Sequence, residues 1–215
     1  MSLARRCAPL FMLVSLAVFS AAAQPQAAAV PGPEVLMRTA TAEVIAILDR
    51  DAAAGRPTDV ARLVDTKILP LFDFERMTRL AVARHWRLAT PGQQGELVAQ
   101  FTALLVRTYS TVLGDYRDEQ IRYRPLRAVP GDAEVLVRSS VHRRGAEPMT
   151  IDYDMQETAS GWKVYDVTVA GVSLVITHRA SFATLVRERG IDGLIEALAD
   201  KNRSIAPRLT PPGRS

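Results

Sequence analysis

The chain has 215 residues, of which 48% are apolar and 23% are charged, and its formal net charge is +4. This composition is typical of a folded globular chain and excludes intrinsic disorder over most of the length. The 12 Gly and 13 Pro exclude a collagen-like or low-complexity architecture, and a long apolar run occurs only at the N-terminus, which excludes a polytopic membrane protein.

The first 23 residues have the pattern of a secretory signal peptide. Arg5 and Arg6 precede an apolar stretch over residues 7–19, and small residues ending at Ala23 follow it. A basic start, a short apolar core and an Ala-x-Ala end are typical of such a peptide, whereas a spanning helix needs about twenty apolar residues. We therefore expect cleavage near Ala23, with Ala29 as the alternative, and export to the periplasm.

Cleavage there removes the only Cys of the sequence. Cys7 precedes the apolar core, whereas a bacterial lipoprotein carries its Cys after that core, so we expect no lipid anchor. A mature chain without Cys has no disulfide, no thiolate nucleophile and no Cys-based metal site. The net charge falls from +4 to +2 once Arg5 and Arg6 are removed. A positive charge this small is only weak evidence for nucleic-acid binding.

The mature chain begins with helical patterns. After a loose leader, the apolar positions predict an amphipathic helix over residues 33–54. Thr58 or Asp59 is expected to cap a second helix that ends before Pro70. The apolar positions assigned to the first helix are Val35, Leu36, Ile45, Ile47 and Leu48.

Two further helices follow. Asp73 is expected to cap a short one, and Thr90 with Pro91 has the N-cap and first-turn preferences that open a long one. The apolar stripe of the long helix consists of Leu97, Phe101, Leu104, Leu105, Thr108, Val112 and Leu113. Its spacing of three and four residues indicates an α-helix.

After Gly114 the apolar positions alternate, which indicates strands over residues 121–125, 135–142, 149–156 and 162–170. Each connection is too short for a crossover helix, so the strands are expected to form an antiparallel meander. Two C-terminal helices are then predicted, one from Ser173 and one from Asp192 to about Asn202. The tail, residues 205–215, contains three Pro and is expected to be disordered.

This order of elements predicts one α+β domain over residues 24–204, in which a four-stranded antiparallel meander sheet packs with N-terminal helices and two C-terminal helices. A small curved sheet capped by helices is a common place for an apolar ligand pocket. Plain core packing accounts for the same side chains, and the pattern alone leaves both interpretations open.

Catalytic patterns are missing from the sequence. His85, His142 and His178 form no pair at metal-ligand spacing, and Asp152 with Asp154 lacks the Gly of a calcium loop. Residues 171–175 begin like a nucleophile elbow but lack its second Gly, and an N-cap role explains the Ser there better. We therefore predict no enzyme activity, no cofactor and no metal.

The segment Gly161-Trp-Lys-Val-Tyr-Asp-Val-Thr-Val-Ala-Gly-Val-Ser-Leu-Val175 resembles the MlaC family, the toluene-tolerance auxiliary proteins. Residues 190–195 continue the resemblance, and residues 69–74, 86–87 and 89–91 extend it upstream, so that it covers about residues 35–203. One departure is the stretch at residues 81–84, where the family pattern leads us to expect a Gly.

The resemblance implies an apolar lipid pocket and a soluble periplasmic carrier that moves phospholipid between the outer and inner membranes and maintains outer-membrane lipid asymmetry. Its implied partners are an inner-membrane ABC transporter with an MCE-domain ring and an outer-membrane lipoprotein–porin complex, with the carrier itself a monomer. Two alternatives remain: an exported carrier of another lipid, such as a hopanoid, and a small-molecule enzyme on a similar cone-shaped fold. Transport direction, headgroup and chain-length preference, the number of bound acyl chains and the partner-facing surface stay open.

On this basis we predict the lipid-binding residues. They come from the long helix, the sheet, and the last strand with its exit: Phe101, Leu105, Tyr109, Val137, Ile151, Tyr153, Val167, Val169, Val172 and Leu174. Val172 and Leu174 are expected at the pocket mouth because Gly171 bends the chain there, and a Val172→Glu variant is expected to fold but to lose lipid. Trp162 and Phe182 are assigned to the core. Asp166 is expected to act as a cap or to pair with Arg179 or another basic side chain.

Overall fold

The computed structural model describes residues 31–110, 119–127 and 131–205. The predicted signal peptide lies outside these ranges, as do Val112 and Leu113 of the predicted helical stripe and the predicted tail beyond Ile205. The predictions for those segments therefore stay predictions.

Helical segments make up the described chain before the sheet, and three of them begin at the predicted caps. In chain order they are α1 (Pro33–Ala53), α2 (Val60–Leu63), a π-helical segment (Val64–Ile68), a 3-10 turn (Leu69–Leu71), α3 (Phe74–Val82), a second 3-10 segment (Ala83–Leu88) and α4 (Pro91–Tyr109). The Asp59 and Asp73 carboxylates each accept a hydrogen bond from the backbone N–H three residues on, at 3.0 and 2.8 Å. Thr90 and Gln93 form a reciprocal capping box at the start of α4. The predicted caps at these three starts are confirmed.

The strands form one antiparallel sheet in the order β1-β2-β3-β4-β5. They are β1 (Gln120–Tyr123), β2 (Glu134–His142), β3 (Met149–Thr158), β4 (Gly161–Val169) and β5 (Val172–Ser173). Val137 lies opposite Tyr153, and Tyr153 lies opposite Val167, so these three side chains share one face. Because side chains alternate along a strand, that inner face is apolar, whereas Arg138 and Asp152 pair on the outer face. The predicted meander of four strands is confirmed.

The fifth strand was not predicted. Val172 pairs with Val169 across a two-residue turn formed by Ala170 and Gly171, whose φ angles are 48° and 82°. Two positive φ angles in a two-residue hairpin are the type I′ arrangement. A strand of two residues has no alternation for sequence analysis to recognise, so the prediction ended at Ala170.

The C-terminal helix α5 (Ile176–Ser204) is broken at Gly190, whose φ of 70° and ψ of −173° are not helical. The two predicted C-terminal helices are therefore the two halves of one bent element. This helix packs against α3 and α4 in a helical core in which Phe101 and Phe182 meet edge to face, with ring centroids 5.4 Å apart. Phe182 is buried, as predicted, whereas Trp162 of β4 is only partly buried and packs against the apolar cluster of the sheet.

Asp166 joins the sheet to α5. Its carboxylate accepts hydrogen bonds from the Ser173 hydroxyl (2.5 Å) and from two backbone N–H groups, one of which is that of Val175 (3.2 Å). The predicted capping role is confirmed. The predicted alternative, an ion pair with Arg179, is wrong because the Arg179 guanidinium instead donates to the carbonyl of Leu80, at 3.0 and 3.1 Å.

The inner face of the sheet is covered by α1. Met37 is 4% exposed and packs with Val135, Val137, Met155, Val164 and Val167 of the sheet. Further along α1, Val44 and Leu48 pack instead against Leu63 of α2. The helix therefore contacts the sheet with its first half and α2 with its second half. Among the described residues, no helix is both long and apolar enough to cross a membrane.

Candidate functional site

A cavity of about 480 Å³ lies between α1 and the inner face of the sheet. Its lining is Met37, Ala40, Thr41, Val44, Ile45 and Leu48 of α1, Ile68, Leu71 and Phe72 after α2, and Glu119, Ile121, Val141, Arg143, Ala146, Glu147, Met149, Ile151 and Tyr153 of the sheet and its loops. Most of these side chains are aliphatic or aromatic. The volume lies within the range of ordinary ligand pockets, about 300–1,000 Å³.

The helical wall of the cavity is one continuous stripe of α1. From Met37 to Leu48 the lining positions are separated alternately by three residues and by one, which is the spacing of a single helix face. Ala40 and Thr41 are the small members of the stripe. Their short side chains leave the space that larger residues would fill.

The opposite wall consists of inner-face residues at one end of the sheet. Ile121 pairs with Val141, and Val141 pairs with Met149, so three neighbouring strands each present an apolar side chain there. Ile151 and Tyr153 continue the wall along β3. Strand alternation places all five on the same side as α1.

The charged lining residues lie together at one end of the cavity, since Glu119 precedes β1 and Arg143 and Glu147 belong to the segment that joins β2 to β3. The Arg143 guanidinium donates to the Glu119 carboxylate from Nε at 2.9 Å. The Arg143 side chain is 60% exposed, whereas that of Glu119 is 11% exposed. A ligand in the cavity would therefore meet mostly apolar side chains, with charged side chains at one end.

The polar groups next to the cavity are satisfied by hydrogen bonds. The Tyr123 hydroxyl contacts the Thr41 hydroxyl at 2.6 Å and donates to the carbonyl of Met37 at 3.1 Å. The Ser139 hydroxyl donates to the carbonyl of Ile151 at 2.8 Å. Burial raises the pKa of Tyr153 far above its usual value of 10.0, so this phenol is neutral at any physiological pH.

Within the ranges that the structure describes, no three His, Cys, Asp or Glu side chains are placed to hold a metal ion. The His178 ring contacts those of both Phe101 and Phe182, with centroids 5.2 and 5.3 Å away, and burial lowers its pKa from the usual 6.5. His142 contacts the Ser140 hydroxyl at 2.9 Å. The cavity has space for an apolar ligand.

Of the ten predicted lipid-binding residues, Ile151 and Tyr153 line this cavity. Four more belong to the apolar layer of the sheet but do not line the cavity: Val137, Val167, Val169 and Leu174. These four are neighbours of the cavity wall, and their contact with a ligand stays a prediction.

The other four predicted residues lie elsewhere. Phe101 and Leu105 are buried in the helical core formed by α3, α4 and α5. Tyr109 and Val172 are 39% and 57% exposed. Val172 follows the turn that joins β4 to β5, at the same end of the sheet as Met149, and its predicted place at a pocket mouth stays a prediction.

Sequence analysis did not assign any residue of α1 to the pocket. Its apolar positions for this helix included Ile45 and Leu48, which line the cavity, but omitted Met37 and Val44, which are buried at helical spacing from Leu48. They also included Val35, which is 55% exposed. Ala40 and Thr41 give no apolar signal, and no pattern on α1 alone shows which part of its face meets empty space.

The chain is similar to known proteins over most of its length. The model of the MlaC protein family matches residues 38–200. The intermembrane phospholipid transport system binding protein MlaC of Haemophilus influenzae is 21% identical over 168 residues, which are 76% of this chain and 78% of that protein. The toluene tolerance protein ttg2D of Pseudomonas putida is 24% identical over 124 residues, 57% of each chain.

A solved structure is similar as well. The phospholipid-binding protein from Ralstonia solanacearum, solved in complex with a phospholipid, is 37% identical in sequence and superposes with a TM-score of 0.74, covering 82% of this chain and 99% of that one. The family match includes α1 from Arg38, the whole sheet and most of α5, which are the elements that build and support the cavity. The resemblance seen in the sequence is thus confirmed: the chain belongs to the MlaC family.

Proposed function

We propose that this protein is a periplasmic phospholipid carrier that holds acyl chains in the cavity between α1 and the sheet. The observation that carries the proposal is the apolar cavity itself, whose charged lining residues lie together at one end. A phospholipid has the matching polarity, since its chains are apolar and its headgroup is charged. The 37% identical relative, which was solved with a phospholipid, supports this assignment.

The energetics suit a carrier rather than a tight receptor. Burying a methylene group contributes about 0.8 kcal/mol, so an acyl chain that fills the cavity gains on the order of 10 kcal/mol relative to water. A bilayer buries the same chain equally well. The free energy of moving the lipid from a membrane into the protein is therefore close to zero, and small differences in partner affinity decide where the lipid goes.

The proposal also names the membranes between which the lipid moves and the partner proteins. The chain is expected to carry phospholipid between the outer and inner membranes and so to maintain outer-membrane lipid asymmetry. Its expected partners are an inner-membrane ABC transporter with an MCE-domain ring and an outer-membrane lipoprotein–porin complex. The support is the family membership and the name of the Haemophilus influenzae relative, which is an intermembrane phospholipid transport system binding protein.

Native mass spectrometry of the exported protein, purified without detergent, tests lipid binding directly. The expected result is a bound mass that matches phospholipid, with the identity checked after extraction. The matched variants are Ala40→Trp, which places an indole in the cavity, and Ala46→Trp, which places one on the exposed face of the same helix. We expect the first variant to lose most of the co-purified lipid and the second to keep it.

Three results would contradict the proposal. A bound mass of a sterol-like lipid would favour a carrier of another lipid. A folded protein that has no bound lipid and takes none from vesicles would show that the cavity is only a packing defect. Equal lipid retention by Ala40→Trp and Ala46→Trp would place the lipid outside this cavity.

A further inference from the structure

We infer that Arg143 binds the phosphate of the lipid headgroup and so fixes the direction in which a phospholipid lies in the cavity, with its headgroup where β2 joins β3. The inference rests on the proposed function and deepens it, because it names the side chain that recognises the charged part of the lipid. Two observations carry it. The cavity is open at one end and closed at the other, and the open end has a cation with a free hydrogen-bonding edge.

The open end of the cavity lies where β2 joins β3. Met149, at the start of β3, lines the cavity and is 40% exposed, whereas Met155, further along the same strand, is 0% exposed. Met37 lines the cavity from α1, is 4% exposed and packs in the same apolar cluster as Met155. The cavity is therefore closed by apolar side chains at the Met155 end and reaches solvent at the Met149 end.

The direction of α1 agrees with this assignment. The Glu34 carboxylate accepts a hydrogen bond from the backbone N–H of Leu126 at 2.8 Å, and the Arg38 guanidinium donates to the carbonyl of Tyr123 at 3.2 Å. Later residues of α1 thus lie beside earlier residues of the β1 segment, so the two run in opposite directions. The C-terminal part of the lining stripe of α1 therefore lies towards Glu119, at the open end.

Arg143 is the cation of the open end. Among the described residues that line the cavity, it is the one with a cationic side chain. A charged headgroup loses much of its hydration free energy if it enters an apolar interior, so the headgroup of a bound phospholipid stays at the open end. The phosphate of that headgroup is then next to the guanidinium of Arg143.

The Arg143 guanidinium has one edge that is already paired and a second edge that can bind an anion. Its Nε donates to the Glu119 carboxylate at 2.9 Å, and its Nη2 donates to the same carboxylate. The remaining N–H groups of Nη1 and Nη2 form a second edge, for which the described residues provide no hydrogen-bond partner. Two parallel N–H groups on a guanidinium edge match two phosphate oxygens. Because the Glu119 side chain is only 11% exposed, its contact holds the guanidinium in place, and less side-chain freedom is lost when a phosphate binds.

The two carboxylates of the open end do not prevent this contact. Glu119 occupies the other edge of the guanidinium. Glu147 is exposed, so water and salt screen its repulsion of a phosphate. The same screening makes the phosphate contact modest, because the Arg143 side chain is 60% exposed. The contact therefore orients the lipid, while burial of the acyl chains supplies most of the binding free energy.

Two lipids that differ in the headgroup test the inference. Palmitoyl-oleoyl-phosphatidylcholine carries the phosphate, and palmitoyl-oleoyl-glycerol has the same acyl chains without it. The delipidated exported protein is incubated with vesicles that contain both lipids, and the ratio of the two bound lipids is measured by mass spectrometry after extraction. The ratio does not depend on what fraction of the protein takes up lipid.

The test variant is Arg143→Gln, and the matched control is Arg144→Gln. Arg144 is the next residue of the same connection, is exposed and does not line the cavity, so both variants lose one positive charge from the same region. We expect Arg143→Gln to lower the ratio of bound phosphatidylcholine to bound diacylglycerol about fivefold. Arg144→Gln is expected to change this ratio by less than about twofold.

A double variant guards against a folding defect. Arg143→Gln leaves the carboxylate of Glu119 without its guanidinium partner, which can destabilise the protein. The double variant E119Q/R143Q removes both charges together and is expected to show the same fall in the ratio as Arg143→Gln. A wild-type ratio in the double variant would overturn the inference even if the single variant did not fold.

The outcomes separate this inference from the proposed function. Uptake of neither lipid by the unmodified protein would remove the proposed function itself. Uptake of both lipids with the same ratio in the unmodified protein and in Arg143→Gln would overturn the inference and leave the carrier function standing. Inorganic phosphate added to the unmodified protein is expected to leave the ratio within about twofold, because it has no acyl chain to bury; a fall as large as that in Arg143→Gln would assign Arg143 to a free anion instead of the headgroup.

Discussion

Ala83 is held in a backbone conformation that favours glycine, which makes a stabilising substitution predictable. Its φ is 54° and its ψ is −130° at the C-terminus of α3. Backbone strain of this kind costs a residue with a Cβ about 1–3 kcal/mol. The strain is retained because this bend leads the chain into the 3-10 segment that buries His85 and Trp86. The stretch is also the one in which the family pattern led us to expect a Gly.

The variant Ala83→Gly is expected to raise the free energy of unfolding. Relief of the strain gains about 1–3 kcal/mol, while the greater freedom of Gly in the unfolded chain costs about 0.5–1 kcal/mol. The lost methyl group is only partly buried and costs less than about 1 kcal/mol. The net stabilisation is about 1 kcal/mol, which corresponds to a Tm increase of about 2–4 °C for a domain of this size.

The assay is thermal and urea unfolding followed by circular dichroism, with Ala46→Gly as the control. Ala46 is exposed in the interior of α1, where Gly in place of Ala costs about 1 kcal/mol. The two Ala→Gly changes are therefore expected to shift the Tm in opposite directions. A Tm decrease in Ala83→Gly as large as that in Ala46→Gly would refute the argument, because it would mean that the positive φ carries no strain in solution.

Two further predictions concern acidic residues. Asp166→Asn turns an amide towards groups that donate hydrogen bonds to the carboxylate, and we expect it to lower the free energy of unfolding, measured in urea, by about 1–3 kcal/mol. The control Asp49→Asn, on the exposed face of α1, should change this free energy by less than about 0.5 kcal/mol. Equal effects of the two substitutions would contradict the role of Asp166. The hydrogen bond from Arg38 holds the pKa of Glu34 below its usual value of 4.5. A lowered folded-state pKa contributes stability that is present above the unfolded value and is lost as the pH falls through the folded one. Amide protection factors in the first half of α1, which are corrected for the intrinsic pH dependence of exchange, are thus expected to fall below about pH 4.5. Glu34→Gln should remove that pH dependence, and an unchanged profile in Glu34→Gln would assign the effect to another group.

Local signals made much of the fold predictable. Asp73 and Thr90 could be read as caps because a cap needs only one side chain and the next three residues. The inner face of β3 could be read from alternation, since Tyr153 lies between Asp152 and Asp154. Gly190 separated two helical patterns and does interrupt α5, although the chain continues as one bent element rather than as two helices joined by a loop.

The cavity could not be predicted in the same way because empty space has no sequence signal. The α1 stripe shows which face is apolar, but not that Met37 is packed against the sheet at the edge of the cavity while the short side chains of Ala40 and Thr41, one turn on, leave space there. That difference depends on the distance between two elements that are far apart in sequence. For the same reason the apolar pattern of α4 does not show that Phe101, which is predicted to bind lipid, packs in the helical core.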